Sequence, residues 1–129
     1  MPENLLILTT DTFEKFATTP GIALVDFWAP WCGPCRSFAP IYEAAATKHA
    51  DVRFGKVNTD EEPQLASAFE ITAIPTLAVF RDGVLLHAEA GALPASGLEE
   101  LLRAIRAIDM AEVMKQLEAQ GTEPEGGAA

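Results

Sequence analysis

Ala29-Pro30-Trp31-Cys32-Gly33-Pro34-Cys35-Arg36 stands between an apolar run, Ile22 to Trp28, and a helical pattern that begins with Cys35. A C-x-x-C pair at the junction of a buried strand and a helix is the setting of a redox-active dithiol, so a reversible disulfide between Cys32 and Cys35 is expected. At a helix start the unpaired N–H groups and the positive end of the macrodipole favour a thiolate, which makes Cys32 the nucleophile. Cys35, about one helical turn further on, can reach that sulfur but faces inward, where desolvation disfavours its anion; it reads as the resolving thiol. Gly33 permits a tight turn beside an approaching substrate, and Pro34 in a first helical turn gives up only an N–H that would be unpaired anyway. The alternatives are an inert buried pair, or a zinc site completed by His49 and His87. Those histidines lack the usual close ligand spacing and read as ordinary surface or partly buried residues, so no metal is expected.

Upstream, the run Ile22 to Trp28 shows no polar alternation and reads as a central strand buried on both faces. Asp26 interrupts it. An isolated carboxylate is costly to bury ionised, so its pKa should be raised, and through a water it would take the proton from Cys35. The alternative is a carboxylate at an exposed strand position. Lys56, on the next expected strand, is an electrostatic neighbour for Asp26, or else an exposed lysine.

Further out, Leu5 to Leu8 reads as a strand. Asp11 and Glu14 then have capping-box spacing before the stripe Phe13, Phe16 and Ala17. Phe38, Ile41, Tyr42 and Ala45 extend the helix after the cysteines to about Lys48, with Pro40 expected to bend it. Val52 to Asn58 reads as a strand and Pro63 to Phe69 as a short helix behind the acidic cluster at residues 60–62. Thr76 to Arg81 and Val84 to Ala90 flank Asp82-Gly83, a hairpin signal, so these two strands should be antiparallel. Leu98, Leu101, Leu102, Ile105 and Ile108 mark a closing helix. The expectation is an α/β fold in the order β-α-β-α-β-α-β-β-α, with a central mixed sheet of about five strands flanked by helices.

Past Asp109 the apolar positions Val113, Met114 and Leu117 fall out of phase with that last stripe, and Asp109 with Glu112 offers another capping box. Residues 1–108 therefore read as one domain. Residues 109–129 read as a C-terminal extension, a short helix over 110–120 followed by a disordered tail.

With 129 residues, 49% of them apolar, the chain can build one core but not comfortably two. Nine Lys and Arg against nineteen Asp and Glu give a formal charge of −10, which disfavours nucleic acid and anionic lipid as partners. The N-terminus has an acid and no base before a short apolar stretch, unlike a signal peptide, and no run is long enough for a membrane span. A cytoplasmic monomer is expected.

The motif WCGPC preceded by DFWAP, the later Pro40 and Ile74-Pro75-Thr76, and the joint presence of Asp26, Trp28, Trp31, Cys32, Cys35, Lys56, Pro75 and Gly91 resemble the thioredoxin family over about residues 5–108. The resemblance implies a cis bond between Ile74 and Pro75 beside the cysteines. It also implies a shallow apolar substrate surface of Trp31, Ile74, Pro75, Gly91 and Ala92 around Cys32, flanked by Gly33 and Pro34. The activity implied is protein-disulfide reduction without a bound cofactor. The partners implied are protein disulfides and a flavin-dependent, NADPH-consuming thioredoxin reductase. Two rivals stand beside it: a non-redox interaction module with incidental cysteines, and an oxidant or disulfide isomerase. Gly33-Pro34 favours the reductant.

Overall fold

A computed structural model describes residues 1–121. Five strands, β1 (Leu5–Ile7), β2 (Ile22–Trp28), β3 (Arg53–Asn58), β4 (Thr76–Arg81) and β5 (Val84–Ala90), form one mixed sheet in the order β1-β3-β2-β4-β5. Both neighbours of β3 run parallel to it, whereas β4 is antiparallel to β2 and β5 to β4. The helices are α1 (Thr10–Thr18), α2 (Gly33–Lys48), α3 (Pro63–Ala68), α4 (Ala95–Arg106) and α5 (Met110–Gln120). The expected mixed five-stranded sheet between helices is the observed one.

The central strand explains its own sequence. Ile22 and Leu24 pack with Phe38 and Tyr42 of α2 and with Leu98, Leu102 and Ile105 of α4. Ala23, Val25 and Phe27 turn the other way, into a cluster with Phe13 and Phe16 of α1 and Leu65 of α3. A strand covered on both faces needs apolar residues at every position, and β2 is buried from Ile22 to Phe27. Packing leaves no room for a side chain at Gly55 in β3. A Cβ there would stand 2.5 Å from Leu8 Cδ1 and 3.0 Å from Phe16 Cζ, so glycine is what lets α1 approach the sheet.

Turn chemistry closes the sheet. Asp82 and Gly83 both have positive φ, 53° and 81°, as a two-residue hairpin of the right twist requires. Asp82 Oδ1 also accepts the Gly21 N–H at 2.8 Å, tying this turn to the start of β2.

Helix α1 begins earlier than Asp11 and Glu14 suggest. Its cap is Thr9, whose N–H donates to Thr12 Oγ1 at 2.9 Å, and Asp11 instead lies in the first turn, where a carboxylate suits the helix dipole. Glu62, 52 residues away, accepts from both the N–H and the hydroxyl of Thr10, at 2.8 and 3.0 Å. A cap supplied from that distance leaves no local trace in the sequence. Smaller differences lie at element ends: β1 stops at Ile7, β3 starts at Arg53 and α3 stops at Ala68.

Two arginines close helix C-termini. Arg53 donates to the carbonyls of Phe16 in the last turn of α1 and of Thr19 and Pro20 just past it, and Arg81 to those of Ile105 in the last turn of α4 and of Ile108 just past it. Before α5, Asp109 Oδ1 accepts the Glu112 N–H at 3.2 Å, but the Glu112 side chain meets Gln116, so only half of a capping box forms. Gly121 ends α5 at φ 69°. The expected disordered tail falls at residues 122–129, outside the described residues. Among the described residues no helix is long and apolar enough to cross a membrane.

Candidate active site

Strand β2 ends at Trp28, and a short loop leads into α2 with Cys32 as its N-cap. Cys32 and Cys35 are joined by a disulfide, their Cα atoms 5.2 Å apart. Cys32 Sγ accepts the Cys35 N–H at 3.2 Å, one of the amides that a helix start leaves without an intrahelical partner. A thiolate formed at this sulfur on reduction would therefore meet both a donor and the positive end of the α2 dipole. Both cysteines are buried, at 5% and 3% exposure, so the asymmetry between them comes from position along the helix rather than from overall access. Gly33 and Pro34 occupy the first helical positions and are exposed.

The antiparallel placement of β4 brings its start to the same end of the sheet as the end of β2, with Phe27 opposite Thr76. The Ile74–Pro75 peptide bond just before it is cis. The Ile74 carbonyl oxygen lies 3.7 Å from Cys32 Sγ. The Pro75 carbonyl accepts the Gly91 N–H at 2.8 Å, and Gly91 takes φ 107°, a backbone angle that side chains disfavour. Pro75 is itself buried, so the exposed rim consists of Trp31, Gly91 and Ala92 with a half-buried Ile74. Trp31 is 68% exposed, and its indole N–H donates to the Asp60 carboxylate, 3.1 Å from Oδ2.

Beneath the motif lies Asp26. It shares its sheet face with Leu24, the face covered by α2 and α4, and is only 1% exposed. Neither carboxylate oxygen has a hydrogen-bond partner in the protein. Burial raises its pKa from 3.8 to about 7, against the opposing attraction of Lys56. Lys56 is the paired residue on β3, and its Nζ lies 4.7 Å from the centre of the Trp28 ring. Tyr42 belongs to the same enclosure: its hydroxyl donates to the Gly55 carbonyl at 2.8 Å, and burial, reinforced by the Asp26 charge, pushes its pKa up.

The structure thus joins Cys32 to Cys35, Ile74 to Cys32, Gly91 to Pro75 and Lys56 to Asp26. Ala92 follows Gly91 on the exposed loop to α4. The two histidines lie elsewhere: His49 Nε2 is 2.9 Å from Glu99, and His87 Nε2 is 2.9 Å from Glu89. Two site residues escaped sequence reasoning. Asp60 read only as part of an acidic cluster, although Asn58, whose Oδ1 accepts the Asp60 N–H at 2.9 Å, is the kind of residue that signals a side-chain-stabilised turn there. Arg36, whose Nη1 donates to the Pro30 carbonyl at 2.8 Å, has no local signal at all.

Residues 4–104 match the sequence profile of the Thioredoxin family. A Streptomyces coelicolor protein provisionally named thioredoxin 2 is 45% identical over 113 residues, 88% of this chain and 84% of its own length. Thioredoxin 1 of Synechococcus elongatus is 45% identical over 97 residues, 74% of this chain and 91% of its own. Among solved structures, oxidised mitochondrial thioredoxin 3 of Saccharomyces cerevisiae superposes with a TM-score of 0.71 at 33% identity, covering 78% of this chain and 94% of that one.

Proposed function

Since the chain belongs to the thioredoxin family and is a protein-disulfide oxidoreductase working by dithiol–disulfide exchange, we propose that it serves as a cytoplasmic reductant, recharged by a thioredoxin reductase. In the reducing half-cycle the Cys32 thiolate attacks one sulfur of a substrate disulfide, and the other leaves as a thiolate. Cys35 then gives its proton, through a water, to Asp26 and attacks Cys32 Sγ. The intermolecular S–S bond breaks, the second substrate thiolate departs, and Cys32 and Cys35 end as the disulfide. Two electrons pass to the substrate, whose thiolates take protons from solvent.

The observation that carries this reading is the disulfide at the start of α2, with its first sulfur facing the Ile74 carbonyl and an unpartnered carboxylate buried on the sheet face below. An extended substrate segment could pair with main-chain groups around Ile74 while Trp31, Gly91 and Ala92 give apolar contact. Recognition through the main chain tolerates many sequences. Lys56 moderates the charge on Asp26. In this reading residues 1–108 carry the chemistry and the segment from Asp109 supplies a further apolar helix face.

The test is reconstitution with NADPH, a thioredoxin reductase and a disulfide-bearing protein. NADPH consumption should require the chain and vanish in Cys32→Ser. A chain that accepts no electrons from the reductase, or whose disulfide equilibrates only with strongly oxidising buffers, would sink the proposal in favour of an oxidant or isomerase. Partner binding that survives in Cys32→Ser without any redox turnover in the parent chain would instead indicate an interaction module.

A further inference from the structure

Arg36 carries a charge that the exchange steps above do not use. The chain has a formal charge of −10, and much of its positive charge is engaged away from Cys32. Arg53 and Arg81 close helix ends, Lys48 and Arg106 pair with Glu99 and Asp51, and Lys56 lies over Trp28. Of the basic residues only Arg36 directly adjoins the redox motif, following Cys35. Its N–H donates to the Cys32 carbonyl at 3.2 Å, so it stands one helical turn beyond the nucleophile. The guanidinium folds back over that turn: Nη1 meets the Pro30 carbonyl at 2.8 Å, and Nη2 lies 3.9 Å from where a Cβ on Gly33 would be.

This places a fixed cation beside the loop that bears Cys32. The side chain is exposed and, among the described residues, makes no ion pair. A guanidinium has five N–H donors in a rigid fork, and the bond to Pro30 uses one of them. The remaining donors are pre-oriented for a planar acceptor, so less freedom is lost when one binds.

We propose that Arg36 is a specificity-determining residue that binds a substrate carboxylate next to the disulfide under attack. The inference rests on the reading of the chain as a disulfide reductant and names a class of substrate for it, segments with Asp or Glu flanking the cysteine. The net charge of the chain repels such segments at long range, an effect that salt screens beyond about 10 Å at 0.1 M ionic strength. Arg36 acts inside that distance and offsets the repulsion where the sulfurs meet.

Two disulfide peptides, identical except for Glu or Lys beside one cysteine, separate these effects when kcat/KM is measured for the full chain and its variants. In Arg36→Gln the Glu-to-Lys ratio should fall about two- to fivefold, the range of an exposed ion pair, and it should fall further in Arg36→Glu. Arg103→Gln removes the same unit charge from α4, which meets α2 near its far end through Glu99 and Lys48, and should leave the ratio unchanged. An unchanged ratio in both Arg36 variants would overturn the inference. So would an equal change in Arg103→Gln, which would make bulk charge the cause, or a uniform fall for both peptides, which would assign Arg36 to the Cys32 thiolate. If the parent chain reduces neither peptide, the reductant reading fails and takes the inference with it.

Discussion

Asp26 and Lys56 occupy directly paired positions on β2 and β3, yet the carboxylate has no hydrogen-bond partner and the ammonium rests over the indole of Trp28. The folded chain therefore prefers Asp26 protonated, with a pKa of about 7 against 3.8 for the ordinary side chain. For an acid whose pKa is raised by folding, the native state binds more protons than the unfolded one between those two values. Stability consequently falls as pH rises through that window and levels off above it. A shift of about three units corresponds to roughly 4 kcal/mol at most. Asp26→Asn should thus be more stable than the parent at about pH 8, and the gap should close towards about pH 4. Chemical denaturation of the oxidised proteins at both pH values measures it; a gap independent of pH would contradict the burial argument.

The same carboxylate bears on rate. If Asp26 accepts the Cys35 proton, release of the mixed disulfide should accelerate as pH rises through about 7, where the base becomes ionised. Asp26→Asn should lose that inflection and slow the step by roughly a hundredfold near neutrality, in the range of general-base effects. Rapid-mixing measurements on a preformed mixed disulfide resolve the step, and an inflection that survives the substitution would assign the proton elsewhere.

Asp60 fixes Trp31 at the rim through the indole N–H. Asp60→Ala should free the ring, raising KM for a protein disulfide about fivefold while leaving kcat close to the parent value, as expected for a lost charge-assisted hydrogen bond at an exposed site. Steady-state kinetics, with tryptophan anisotropy as a readout of ring mobility, distinguish this from a loss of fold.

At Gly55 an added methyl group would stand 2.5 Å from the buried Leu8 side chain and 3.0 Å from Phe16. Gly55→Ala should cost about 1–3 kcal/mol by overpacking, leaving the redox chemistry intact because the contact lies on the face opposite Asp26. Thermal unfolding reports the loss; an unchanged midpoint would mean that α1 moves aside freely.

The elements legible in the sequence were those fixed by local rules. β2 and the β4–β5 hairpin could be delimited because an unbroken apolar run and an Asp-Gly turn are short-range signals, and the cysteine motif because its spacing is itself the chemistry. What escaped depended on contacts between distant segments. The Glu62 cap on α1 spans 52 residues, the indole bond of Trp31 spans 29, and His49 meets Glu99 and Arg106 across 50 and 57. Burial of Asp26 was foreseeable from its apolar neighbours. Its lack of any hydrogen-bond partner was not, since that depends on where Lys56 and Tyr42 direct their polar atoms.

The bond from the Gly91 amide to the Pro75 carbonyl ties the rim beside Cys32 together through the chain's own backbone. The entropy lost in ordering that surface is therefore charged once, when the chain folds, and not at every encounter. In the proposed cycle such a surface would work through weak, short-lived complexes: a partner would need to present only a sulfur and a short stretch of backbone, and would be released once Cys35 completes the exchange. In the proposed reductant, breadth of clientele and speed of turnover would then share one origin, a surface ordered by the chain's own hydrogen bonds.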